Sequence, residues 1–192
     1  MKTKDTKGLL IDTTMALLRD AEDVNDVTVR DIIGAAGVNL STINYHFGSK
    51  EELMKVVLLK LIEEKAKGLL STYDDVSSTA DPKMVLLDYL INMSDVVFAA
   101  RKYTRAIIPS VMLNDSMTTP EYIVPMISEC FEGKRTIQEC RLIAFEIILF
   151  LQMSFYRMDD FYAYTGLDLN EKDVRSKVIS DQLDMFIREE NQ

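Results

Sequence analysis

Apolar residues recur at three- and four-residue intervals along most of the chain, the period of one face of an α-helix. Leu10, Ile11, Met15, Leu17 and Leu18 mark a first amphipathic helix over residues 9–18, closed by the polar stretch 20–26. Thr28 then stands as the N-cap of a second helix, with Asp31 three residues on in a capping-box arrangement. Val29, Ile32, Ile33 and Ala36 form that helix's inward stripe, and Gly37, able to take positive φ, stops it. A short third helix is predicted over residues 39–46, closed by Gly48. Ser49 and Glu52 form another capping-box pair, opening a long fourth helix that runs to about Tyr73. That helix is apolar over much of its circumference. Such a helix requires cover on several sides, which makes it the joint between two packing units.

Beyond it, residues 74–80 are polar and Ser-rich, a loop. Asp81-Pro82 is a cap followed by proline at the first helical position, and the helix continues to about Arg101. Residues 103–113 form a shorter helix with a kink expected at Pro109. After a loop over 114–118, Thr119-Pro120 repeats the cap-plus-proline signal, and Gly133 ends that segment. Thr136 and Glu139 cap a long apolar helix that fades before Gly166. Asn170 and Asp173 open the last helix, with Val174, Val178, Leu183, Phe186 and Ile187 on its apolar side. The chain has no Asn-Gly, Asp-Gly or Gly-Gly pair to signal a hairpin, no internal repeat and no low-complexity segment. The expected fold is all-α, with about nine helices.

Composition narrows the function. With 192 residues, 47% of them hydrophobic and 28% charged, the chain suits a globular protein and not a disordered or fibrous one. Its 22 basic and 31 acidic side chains leave a net charge of −9, which repels phosphate backbones and anionic lipid, so any nucleic-acid contact must be local. Cys130 and Cys140 are too few to staple the chain and read as reduced side chains of a cytosolic protein. His46, the single histidine, belongs to no zinc-ligand set and to no Cys/His nucleophile pair, so neither a metal nor a cofactor is expected. There are no paired carboxylates at catalytic spacing and no Gly-rich phosphate loop, which argues against an enzyme. The lysines of MKTKDTKGLL lack the apolar stretch of a signal peptide. Residues 142–153, interrupted by Glu146 and Gln152, are too few to span a bilayer. A cytoplasmic protein without membrane contact is expected.

Three short helices around a glycine-bearing turn suggest helix-turn-helix DNA binding, although helical hairpins of this kind are also common elsewhere. The residues are more specific than the spacing. Residues 28–53, TVRDIIGAAGVNLSTINYHFGSKEEL, resemble the signature of the tetracycline-repressor (TetR) family of bacterial transcriptional regulators, and the resemblance spans about residues 7–57. It implies a DNA-binding domain over residues 1–50 and a helical effector-binding and dimerisation domain over residues 51–192. By the same resemblance Thr28 caps the second helix and touches phosphate. Asn39, Leu40, Ser41 and Thr42 open the recognition helix in the major groove of double-stranded operator DNA. Tyr45 and His46 hydrogen-bond the DNA backbone, Lys50 meets a phosphate, and Phe47 packs in the core. Two positions depart from the family pattern. Asn44 replaces a common aromatic, and either aims its amide at an adenine edge or is an exposed residue without DNA contact. Leu40 replaces a small or basic residue, and either touches a thymine methyl or packs beneath the helix.

Residues 1–50 hold six basic side chains (Lys2, Lys4, Lys7, Arg19, Arg30, Lys50) against seven acidic ones, a net of −1 that is poor for binding DNA. Helix N-termini at Thr28, Asn39 and Ser49 partly compensate through their dipoles and free N–H groups. The early lysines are either a solvated tail or an arm along DNA.

The function the resemblance implies is a homodimeric repressor, released from a pseudo-palindromic operator by a small molecule, expected to be hydrophobic. The alternative is a ligand-binding helical protein with weak or lost DNA affinity. Helices over residues 135–156 and 170–189 are expected to pair with their symmetry mates through Leu183, Phe186 and Ile187. For the effector pocket the aromatic and methionine residues Met93, Phe131, Phe150 and Met153 are selected, from a crowd that includes Met117. Glu146 joins them because its helical neighbours Leu142, Ile143, Leu149 and Phe150 are all apolar. A carboxylate so placed should be neutralised, paired with Arg101, Arg105 or Arg141, or turned into a cavity.

Overall fold

Eleven α-helices make up the regular structure of the described residues, with no strand among them. The structure is a computed structural model that describes residues 5–70, 81–114 and 118–187. The helices are α1 (Thr6–Asp20), α2 (Val29–Ala36), α3 (Leu40–Phe47), α4 (Lys50–Leu70), α5 (Pro82–Ala99), α6 (Arg101–Asn114), α7 (Thr118–Glu121), α8 (Val124–Cys130), α9 (Ile137–Tyr156), α10 (Met158–Thr165) and α11 (Lys172–Phe186). They divide into two units, one of Met1–Gly68 with Ala100–Ile107, the other of Leu69–Ala99 with Ile108–Gln192.

In the first unit the helix ends follow cap chemistry. Asp5 Oδ1 accepts from Gly8 N at 3.0 Å to start α1, whose inner side is Leu10, Thr14, Met15 and Leu18. Within the polar stretch that follows, Val24–Asp26 form one 3₁₀ turn, and Val24 and Val27 are buried. The capping box of α2 is formed: Thr28 N donates to Asp31 at 2.8 Å and Asp31 N to Thr28 Oγ1 at 3.3 Å. Gly37 takes φ 63°, the left-handed turn that a β-carbon disfavours. α4 differs from the expectation of an all-round apolar helix. Leu53, Val57, Leu58 and Leu61 make one buried stripe, while Glu51, Glu52, Lys60, Glu63 and Glu64 face solvent. Its expected end at Tyr73 and the loop over 74–80 lie outside the described residues. The start of α6 completes this unit. Tyr103 and Ile107 are buried, and the Lys102 ammonium donates to Leu18 O at 2.6 Å and to Ala21 O. These carbonyls end α1, where positive charge is favoured.

The second unit packs α5, α8, α9 and α11 around Leu86, Leu90, Ile127, Ala144, Ile147 and Ile179. Met158, Leu169 and Val178 form a neighbouring cluster with Phe98, Phe150, Phe155 and Phe161. Arg175 is buried beneath it, donating to Asp95 Oδ1 at 2.7 Å and to Leu169 O at 2.9 Å, with its guanidinium 4.0 Å from the Phe98 ring centroid. Burial pushes the Asp95 carboxyl up, but hydrogen bonds from Lys172 and Arg175 outweigh it and hold the group below its usual range. The Thr136–Glu139 capping box starts α9. The long segment expected to run toward Gly166 breaks after Tyr156 into α9 and α10, and Gly166 (φ 74°) closes α10. The last helix opens at Lys172, two residues beyond Asn170, whose backbone N–H bonds Asp168 instead.

Three sequence expectations change here. Leu183 and Ile187, 1% and 5% exposed, are part of the chain's own core and leave little surface for the expected dimer face; Phe186 is half-buried against the same core. Glu146 is exposed and not buried, because several of its apolar neighbours face outward as well. Leu142 is 62%, Leu149 37%, Met153 42% and Tyr156 37% exposed, so the outer side of α9 is an apolar stripe. Met153 lies on that stripe, and Arg141 pairs with Glu121 at 2.9 Å and not with Glu146.

Candidate nucleic-acid interface

Asn39 organises the start of α3. Its side-chain oxygen accepts from Thr42 N at 3.1 Å, Thr42 Oγ1 at 2.9 Å and Ser41 Oγ at 2.5 Å. One amide therefore caps the helix and fixes both hydroxyls, leaving their lone pairs outward as acceptors. Ile43 is fully buried and anchors the helix from beneath. The outward face is Leu40, Ser41, Asn44 and Tyr45, with Leu40 49% and Tyr45 84% exposed. Leu40 therefore does not pack beneath the helix.

His46, half-buried in the last turn of α3, meets Tyr45 edge-on at 4.9 Å between ring centroids and Phe47 at 6.4 Å. Phe47 is covered from the other side by the first turn of α1, where the Lys7 ammonium lies 5.6 Å from its ring centroid. That contact fastens the end of α3 to the start of α1. It sorts the early lysines: Lys7 belongs to a helix, while Lys2 and Lys4 lie outside the described residues.

Around α3 sit the groups assigned to phosphate. Thr28 Oγ1 donates to Asp31 at 2.5 Å, so the hydroxyl is engaged in the cap. That bond, with the one from Thr28 N, holds the Asp31 carboxyl below its ordinary range. Lys50, the first residue of α4, adds its positive charge to the same effect. Ser49 Oγ accepts from Glu52 N at 3.2 Å, while its hydroxyl bonds Glu51. The expected Ser49–Glu52 box is thus met on its serine side. Arg19 is held away by Glu64 at 2.7 Å. Two helix N-termini and Lys50 thus supply local positive potential in an acidic chain.

Residues 10–57 match the family model described as bacterial regulatory proteins, tetR family. Its DNA-binding domain is that of a TetR-family regulator. The TetR-type match covers α1 from Leu10, α2, α3 and the first turns of α4, and supports a DNA-binding transcriptional regulator. No curated protein matches the chain.

The TetR match stops at residue 57 and leaves the second unit outside it. Phe131 lines a groove of about 650 Å³ with Lys83, Cys130, Arg135 and Phe186, and the Arg135 guanidinium sits 4.8 Å from its ring centroid. Burial pushes the Cys130 thiol up to about 11, which keeps it protonated. Phe150 meets Phe161 edge-on at 6.1 Å within the aromatic cluster, Met93 is half-buried on α5, and Met117 lies outside the described residues. Met93, Glu146, Phe150 and Met153 therefore do not join Phe131 in that groove. Among the described residues no helix is long and apolar enough to cross a membrane, and no cluster of metal-ligating side chains occurs. The sequence pointed to the helix over residues 135–156 as a pairing element without naming its exposed residues, although the spacing of Leu142, Leu149, Met153 and Tyr156 carries them.

Proposed function

We propose that the chain is a homodimeric repressor whose two copies of α3 enter successive major grooves of a pseudo-palindromic operator. The observation that carries this reading is the outward face of α3, capped by Asn39 and flanked by two helix N-termini and Lys50 within a TetR-type domain. Phosphate contacts at Thr28, Tyr45, His46 and Lys50 would set affinity, and α3 would set sequence preference.

The dimer contact assigned here is the apolar outer stripe of α9. Leu142, Leu149, Met153 and Tyr156 are exposed along one helix side, with Glu146 between the first two, and a run of exposed apolar side chains of this kind marks an interaction surface. A two-fold axis would bury the same stripe on both subunits. An effector bound in the second unit, with the Phe131 groove as its place, would favour a dimer whose α3 helices no longer match the operator. Effector and operator then weaken each other's binding reciprocally.

The test is a gel-shift titration with the DNA flanking the protein's own gene, run across salt concentrations. Binding should weaken steeply with salt, and Lys50→Ala should flatten the slope of log affinity against log salt by about 0.9, the share of one neutralised phosphate. Sequence preference should not change. A Lys50→Ala protein with altered preference and intact affinity would overturn the docking, and absence of any shift would leave a ligand-binding helical protein without operator affinity.

A further inference from the structure

The outward face of α3 carries no cation. Between Arg30 and Lys50 the chain has neither arginine nor lysine, so no side chain of α3 can make the bidentate cationic contact that reads guanine O6 and N7. The hydroxyl protons of Ser41 and Thr42 are already donated to Asn39, which removes them as guanine donors as well. His46 is half-buried and turned edge-on to Tyr45. Apart from Tyr45, assigned above to a phosphate contact, what remains outward is an amide and a leucine. Asn44, exposed, offers a donor and an acceptor together, the complement of adenine N7 and N6–H₂. Leu40, 49% exposed, has no polar atom to offer, and the apolar feature of the major groove is the thymine methyl. The two residues are four apart on one helix face, about 5–6 Å between β-carbons, close enough to read one base pair or two adjacent ones.

We propose that this chain reads its operator half-site as A·T pairs, with Asn44 on adenine and Leu40 on a thymine methyl beside it. The proposal rests on the operator-binding reading above and adds which base pairs that reading must find.

The test is selection of bound duplexes from a randomised pool by the full-length protein, followed by probes with single base changes. Enrichment of paired half-sites with A·T at the protected central positions is expected; G·C pairs there overturn the proposal while leaving operator binding intact. No enriched sequence at all would overturn operator binding and this assignment together. On the selected site, Asn44→Ala should lose discrimination for adenine by roughly 5- to 150-fold. Replacing the contacted thymine by deoxyuridine deletes one methyl group and should weaken the unaltered protein roughly fourfold. Leu40→Ala should be insensitive to that replacement. Because Leu40 and Asn44 are exposed, both variants should keep the circular dichroism and melting temperature of the parent. Unchanged base preference in folded Asn44→Ala, or equal sensitivity to deoxyuridine in folded Leu40→Ala, overturns the proposal.

Discussion

The exposed faces of α3 and α9 both carry apolar side chains in water, and they carry them in different company. On α3, Leu40 and Tyr45 are separated by Ser41 and Asn44, on a helix of eight residues whose first turn is locked by Asn39. On α9, Leu142, Leu149, Met153 and Tyr156 follow one another along a 20-residue helix, interrupted by Glu146. A mixed face suits a DNA groove, where polar edges and methyl groups alternate. A mainly apolar stripe suits another apolar stripe. Exposure alone does not define an interface; the neighbours of each exposed apolar residue do.

The largest effect should come from charging the stripe. Leu142→Glu with Leu149→Glu should yield a folded monomer by light scattering, and a protein holding one half-site in place of two linked ones should bind the operator roughly 10²- to 10⁴-fold more weakly. A monomeric mass for the unaltered protein would remove the distinction between the two faces. Next in size is Leu183→Ala, which separates core from contact on α11. It should cost about 2–5 kcal/mol in denaturant unfolding, with the mass of the native species unchanged. Dissociation without destabilisation would return Leu183 to an interface.

The smallest effect concerns the cap beside α3. Because the folded-state pKa of Asp31 is lowered, its contribution is fully present above the unfolded value and is lost as pH falls through the folded one. The amide resonance of Thr28 should therefore move only below about pH 4, the ordinary aspartate range. A midpoint above that range would break the Thr28–Asp31 box.

Cap chemistry was legible in the sequence because it is local. Thr28 with Asp31, Thr136 with Glu139, and Gly37 need only residues a few positions apart, and each stands where the spacing predicts it. The assignment of α3 was legible for the same reason, down to its Asn39 cap. What a periodicity does not encode is the partner of an apolar face. Glu146 has apolar neighbours three and four residues away whether they line a core or meet solvent, and here part of them meets solvent. Leu183 and Ile187 show the converse, since an apolar helix side fits a core as well as a twin. Val24 and Val27 are two anchors in a stretch whose polarity hides them.

The bond from Lys102 to the end of α1 bears on how the protein is made. The unit that holds α3 includes Ala100–Ile107, so a nascent chain that has emerged only through Gly68 still lacks Tyr103, Ile107 and the ammonium that closes α1. At about 5–20 residues per second, synthesis takes roughly two to eight seconds to supply the missing turn. During that interval the recognition helix exists without the last part of its scaffold. A gene fragment cut after α4 would be held permanently at that stage.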